Sequence, residues 1–439
     1  MSKLKRFGIG VGITTVVMGC LTGCWYKGHY VLPPVSEHSV DLPTLNGFDT
    51  LQEAIGLAVM EKDGVPVVPK MLSYSPPRYK TYPLAARLKL VTANEPALRK
   101  TREALAQVYV IPPGTDSTKL GKSQRDQARM QIFAGDTYAA AGNLSDAAIC
   151  YADAIEMGVA IPHGGDMMPF LYGYTCEAMG VRALDRVVDR LEIPIAQGVA
   201  GRLEHIATER VPFSEVLQAQ NRALNQDMRT LFTGNPFAAW QRIGETYNGM
   251  LGFNSFFAFV QGEDSPPPPS FQDRAMLTGI QALVTYQGPG PTITELDRYM
   301  RQMEALSRLP WGPERPVLQE PSGGLKGNLI AQLIGPVYAQ LEYKDREERM
   351  YLSLLQIKLL LHATFLQTGH YPKTLKNLPI DPFSPTNSPL KYHSNGKSYT
   401  LWSVGPDAKD DNGTPVPSRS KDKTRRPYIN ITSKGDVLA

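Results

Sequence analysis

The stretch from Met350 to Phe365 is apolar almost without interruption and stops at Gly369 and Pro372. Wound at 3.6 residues per turn, such a run has no polar face to offer water, so the chain must bury this helix on most sides. Asp345, with Glu348 three residues later, has the spacing of a capping box and sets the expected helix start. At 439 residues the chain exceeds one ordinary core, so two or three packed units are expected to share that burial.

Upstream, apolar periodicity and breakers predict helices over Phe48 to Glu61, Glu95 to Tyr109, Ser123 to Ala141, Ser145 to Met157, Met168 to Met179 and Arg182 to Leu191. Pro112-Pro113-Gly114 and Ile161-Pro162-His163-Gly164-Gly165 supply turns. Helices continue over Ala200 to Leu231, interrupted by Pro212, then over Pro236 to Met250 and Thr294 to Arg308. Pro266 to Pro269 are consecutive prolines and read as an extended hinge. Gly135, Tyr138, Ala147, Tyr151 and Ala154 let two helices approach and fill the groove between them, with Gly142-Asn143 as the turn. Their offsets resemble a single tetratricopeptide repeat, and no clear second copy follows. The fold expected is mainly α: a helical-hairpin scaffold followed by a small α+β module with a helix on an antiparallel sheet.

That module begins with the buried helix. Pro389-Leu390-Lys391-Tyr392 and the segment from Ser398 to Asp407 hold two strand-like stretches, Asn395-Gly396 signals a hairpin between them, and Tyr428 to Thr432 offers a third strand. A long helix, Tyr371-Pro372, the turn at Asp381-Pro382 and a Tyr-rich hairpin ending in Ser403-Val404-Gly405-Pro406-Asp407 together resemble the C-terminal part of type II secretion pseudopilins. The resemblance implies a helix packed on a small sheet and a terminal loop that binds calcium. Asp407, Asp410, Asp411 and Asn412, grouped before Gly413, offer the hard oxygens calcium takes. Solvated acidic side chains on a turn are the alternative.

At the other end, Lys3, Lys5 and Arg6 precede an uncharged run from Phe7 to Met18, the pattern of a signal peptide and too short to span a membrane comfortably. Leu21-Thr22-Gly23-Cys24 then resembles the lipobox of bacterial lipoproteins. The resemblance implies that residues 1–23 are removed and that Cys24 is acylated at its sulfur. Val17-Met18-Gly19-Cys20 fits less well, because Met18 stands where the pattern prefers a small residue. Trp25 and Tyr26 lack the Asp that, by resemblance to Gram-negative lipoproteins, would hold the protein at the inner membrane, so a lipid-anchored envelope location is expected, at the periplasmic side of the outer membrane if the cell is Gram-negative. The organisation expected is therefore a leader (1–23), a tether (24–44), a helical domain (45–264), a Pro-rich hinge with a further helix (265–344) and the pseudopilin-like module (345–439).

Removing the leader changes the chemistry left open. Lys and Arg total 46 against 42 acids, and without Lys3, Lys5 and Arg6 the balance is 43 to 42, which gives no electrostatic case for nucleic acid. The basic group Arg419, Lys421, Lys423, Arg425 and Arg426 sits in a Pro- and Ser-rich stretch and reads as a solvated loop. Cys150 and Cys176 remain in a disulfide-permissive compartment, either bridged or as two small buried hydrophobes. Gly121-Lys122-Ser123 ends like a phosphate loop, but Asp116 stands where its first glycine belongs. His163-Gly164-Gly165 is similar to an esterase oxyanion loop, yet no Gly-x-Ser-x-Gly elbow accompanies it. The seven histidines never cluster at metal-ligand spacing, and Glu204-His205 and Asp185 with Asp189 read as solvated helix faces.

The function expected is a lipid-anchored envelope protein, non-catalytic, serving as a scaffold or binding protein for another macromolecule. An envelope hydrolase with carboxylates brought together in space, or a component associated with a secretion apparatus, are the alternatives.

Overall fold

The structure, a computed structural model, describes residue 32 and residues 41–67, 78–233, 238–239, 241–242, 288–316, 329–417 and 429–439. The leader with Leu21 to Cys24, the helix expected over Pro236 to Met250 (apart from residues 238–239 and 241–242), the prolines 266–269 and the basic group at 419–426 lie outside the described residues. The described chain is mainly helical and closes on a small antiparallel sheet, as expected. No helix among the described residues is long and apolar enough to cross a membrane.

Helix α1 (Gly47–Leu57) starts at Asn46, whose Oδ1 accepts from Phe48 N at 3.0 Å. Asn46 also exchanges two hydrogen bonds with the main chain of Val110, tying the helix start to a distant loop. The expected continuation to Glu61 fails: β1 (Glu61–Lys62) pairs antiparallel with β2 (Val65–Pro66). Between them Asp63 and Gly64 take φ of 51° and 75°, the left-handed pair that an Asp-Gly turn supplies.

Helix α2 spans Leu84–Leu105, eleven residues longer at its start than the sequence suggests. Pro96, which favours a helix's first turn, makes Glu95 look like the beginning, but here it sits inside the helix. Then α3 (Ser117–Ala140) and α4 (Leu144–Ala160) form the hairpin read from the small and aromatic spacing. Gly142 turns the chain at φ 85° and Asn143 caps α4 through Asp146 N. Gly135 lies against the Tyr151 ring, and Ala147 and Ala154 are fully buried.

Helix α5 (Met167–Asp185) runs unbroken through Gly180, where two helices were expected. Gly180 serves packing instead of turning, because a Cβ there would collide with Ile155 and the Tyr151 carbonyl. A 3-10 turn (Val188–Arg190), α6 (Ile193–Thr208) and α7 (Phe213–Leu231) follow, then α8 (Pro289–Ser307) and α9 (Leu329–Thr368). Helix α9 is forty residues long, so Asp345 and Glu348 lie mid-helix and do not form the expected capping box. Within it Met350, Leu352, Leu354, Leu355, Leu359 and Leu361 are buried, as the apolar run requires.

Strands β3 (Lys391–Ser394) and β4 (Tyr399–Ser403) pair with Lys391 opposite Trp402 and Ser394 opposite Tyr399. The third strand, β5, is Val437–Leu438, not the segment at 428–432; residues 429–430 are irregular and Ile431-Thr432 form a turn.

By contact density the chain divides into two units. One comprises Ser39–Gln220, Glu304–Val317 and Ala339–Ala439, so residues 345–439 share a unit with the first helices. Its main core joins Tyr151, Ile155 and Leu184 with Leu203, Leu355, Phe383, Leu401 and Val437. A second cluster gathers Val65, Leu90, Leu98, Phe133 and Cys150. The other unit comprises Met1–His38, Asn221–Met303 and Leu318–Tyr338. Its described part includes the end of α7, most of α8 and the start of α9, and in it Asn221 donates to Asp297 at 2.8 Å.

Candidate functional site

The central helices each bury a carboxylate and match it with a base from another element. On α3, Asp136 meets Lys80 at 2.9 Å and Arg186 at 3.1 Å and accepts from the Tyr151 hydroxyl at 2.7 Å. Burial alone would raise the Asp136 carboxyl, but Lys80, Arg186 and the hydroxyl outweigh it and hold the group below its ordinary value. On α4, the fully buried Asp153 is gripped by Arg102 from α2 at 2.8 Å and Arg202 from α6 at 2.7 Å. On α5, Glu177 bonds Arg210 in the loop before α7.

Arg210 leads to the densest charge cluster. Its guanidinium also lies 3.9 Å from Asp345 on α9, beside the stretch from Glu342 to Arg349. Glu342, Asp345, Glu347 and Glu348 are all buried. Glu342 pairs with Arg315 and Arg346, Asp345 with Arg349 at 2.7 Å, and Glu347 with Lys344 at 2.7 Å. Burial, reinforced by Glu347 and Glu348, pushes the neighbouring Tyr174 hydroxyl well above its ordinary value. Besides its own Lys344, Arg346 and Arg349, the run is met from elsewhere by Arg210 and Arg315. Those arginines sit at distances in sequence that no local pattern reveals.

Such an arrangement neutralises and cross-braces helices. Lys358 and His362 interrupt the apolar run of α9 and are met in the same way: Lys358 pairs with Asp185 at 2.8 Å, and a His362 ring nitrogen lies 2.9 Å from the Leu191 carbonyl.

Among the described residues the acidic turn does not bring three carboxylates together. Asp410 spends one oxygen on the Trp402 indole and Asn412 N, and pairs with Lys391 through the other. Asp407 accepts from Lys409 N with Oδ1 and Gly435 N with Oδ2, so the carboxylates of Asp407 and Asp410 serve the turn itself. Among the described residues no group of three or more His, Cys, Asp or Glu side chains converges as a metal requires. Two carboxylates organise this end: Asp381, read in sequence only as a turn, and Asp436, which sequence reading passed over. Asp381 accepts from Phe383 N, the Ser403 hydroxyl and Val404 N, and Asp436 accepts from Asp411 N and Gly413 N. Both carboxyls are raised by burial despite those bonds. The Asp-Pro step at 381 was the available signal for the first.

Cys150 and Cys176 are free and buried, in separate surroundings: Cys150 lies 3.7 Å from Arg102, Cys176 beside the Gln124 carbonyl. The bridge left open in sequence is not formed. Burial pushes each thiol up to about 12, which removes both as nucleophiles. Gly165 N of the His-Gly-Gly segment donates to the Pro162 carbonyl, so it closes a turn. Gly121-Lys122-Ser123 lies inside α3, away from the helix start that a phosphate loop needs. Cys24 lies outside the described residues.

Scans against protein-family models, curated proteins and solved structures each return no match. The lipobox, repeat and pseudopilin resemblances therefore rest on the residues quoted for them.

Proposed function

We propose that the chain is a lipid-anchored cell-envelope protein that acts without catalysis, as a scaffold or binding protein for another macromolecule. Cys24, in Leu21-Thr22-Gly23-Cys24, is the attachment residue. What carries the scaffold reading is the use made of the buried acids: Asp136, Asp153, Glu177, Glu342 and Asp345 each hold an arginine or lysine. A carboxylate so engaged braces helices and is poorly placed to shuttle protons in a hydrolase. The test is recovery of the tagged chain from detergent-solubilised envelopes after mild cross-linking. The reading expects one partner at constant stoichiometry, and recovery of the chain alone would contradict it.

A further inference from the structure

Helix α3 carries glutamine at 124, 127 and 131, spacings that put all three along one stripe. All three are sealed from solvent, with Gln131 at 0% exposure. Gln124 Nε2 donates to the Tyr109 hydroxyl at 3.1 Å, and Gln127 Nε2 to Thr101 Oγ1 on α2 at 2.8 Å. The Oε1 atoms of Gln124 and Gln127, and both amide atoms of Gln131, have no hydrogen-bonding partner among the described residues.

Exchanging oxygen and nitrogen does not relieve this. The Thr101 hydroxyl already gives its proton to the Ala97 carbonyl at 2.9 Å, so it can only accept, and Gln127 must present its nitrogen there. Rotating Gln124 would let its oxygen accept from Tyr109 and strand its nitrogen instead. Either way four amide atoms are left within about 10 Å of helix axis.

We propose that this stripe is an internal hydration site, holding ordered water along α3 where it faces α2. The ligand class follows from the sign of the groups. In the orientation described, three carbonyl oxygens want donors and one NH2 wants an acceptor. A metal cation would suit the oxygens and be repelled by Gln131 Nε2, and an anion would do the reverse. Water both donates and accepts, so it alone answers all four atoms at a stripe buried from solvent.

The test uses the full chain in detergent and two readings. A crystal structure that shows ordered solvent should place water within hydrogen-bond distance of Gln131 and of Gln127 Oε1. Only carbon around those atoms would overturn the proposal. Gln131→Met keeps the volume but gives water nothing to bond, so the melting temperature should fall by about 2–4 °C. An unchanged or raised melting temperature overturns the proposal, because replacing a dry, orphaned amide by a thioether removes a penalty.

Discussion

Gly158 and Gly198 both lie inside helices, yet alanine at the two should move stability in opposite directions. A Cβ at Gly158 would stand 2.5 Å from Glu177 N, 2.6 Å from its Cβ and 2.7 Å from its Cα. Carbon contacts settle at about 3.5–4.0 Å, so α4 and α5 would have to part by roughly 1 Å. Overpacking costs about 1–3 kcal/mol, and a clash with main chain, which cannot swing aside, belongs at the top of that range. Alanine's better helix propensity returns about 1 kcal/mol, leaving a net loss of about 2 kcal/mol. At Gly198, exposed on α6, nothing lies within 4 Å of the added methyl, so the propensity term stands alone as a gain of about 1 kcal/mol. Urea denaturation followed by circular dichroism separates the two. Gly158→Ala as stable as the parent, or stabilised to the same degree as Gly198→Ala, would refute the close approach of α4 and α5.

Arg210→Met strips the buried Glu177 of its partner and should cost about 3–5 kcal/mol, whereas the double change with Glu177→Leu should recover most of it; urea unfolding of the cycle measures the coupling. Because Asp136 titrates below its ordinary value, its contribution is complete above the unfolded pKa of about 4 and is lost as pH falls through the lower folded value. The melting-temperature gap between the parent and Asp136→Asn should therefore be constant near neutrality and close on acidification below about pH 4. Calcium should leave the melting temperature unchanged, since the oxygens of Asp407 and Asp410 are committed to the turn; a rise would restore the metal reading of that loop.

The architecture was legible where local chemistry dictates it. The apolar run of α9 announced a buried helix, Gly135 with Tyr151 announced a close hairpin, and Asn395-Gly396 announced the β3–β4 connection. Boundaries failed where one residue carries two meanings. Pro96 looks like a first-turn proline but lies inside α2, and Gly180 looks like a stop but is a packing contact. Asp345 and Glu348 were misread as a helix start because the pairing of Asp345 with Arg210 and Arg349 shows only in the fold, and Asp436 was invisible because its partners are main-chain N–H groups brought close only by folding.

The most direct test of the central claim is metabolic labelling with a clickable fatty acid, comparing the parent with Cys24→Ala and Cys20→Ala. The account predicts label and membrane association in the parent and in Cys20→Ala, and loss of both in Cys24→Ala. Label retained after Cys24→Ala, or a parent chain that takes none, would contradict the anchor on which the proposed function stands.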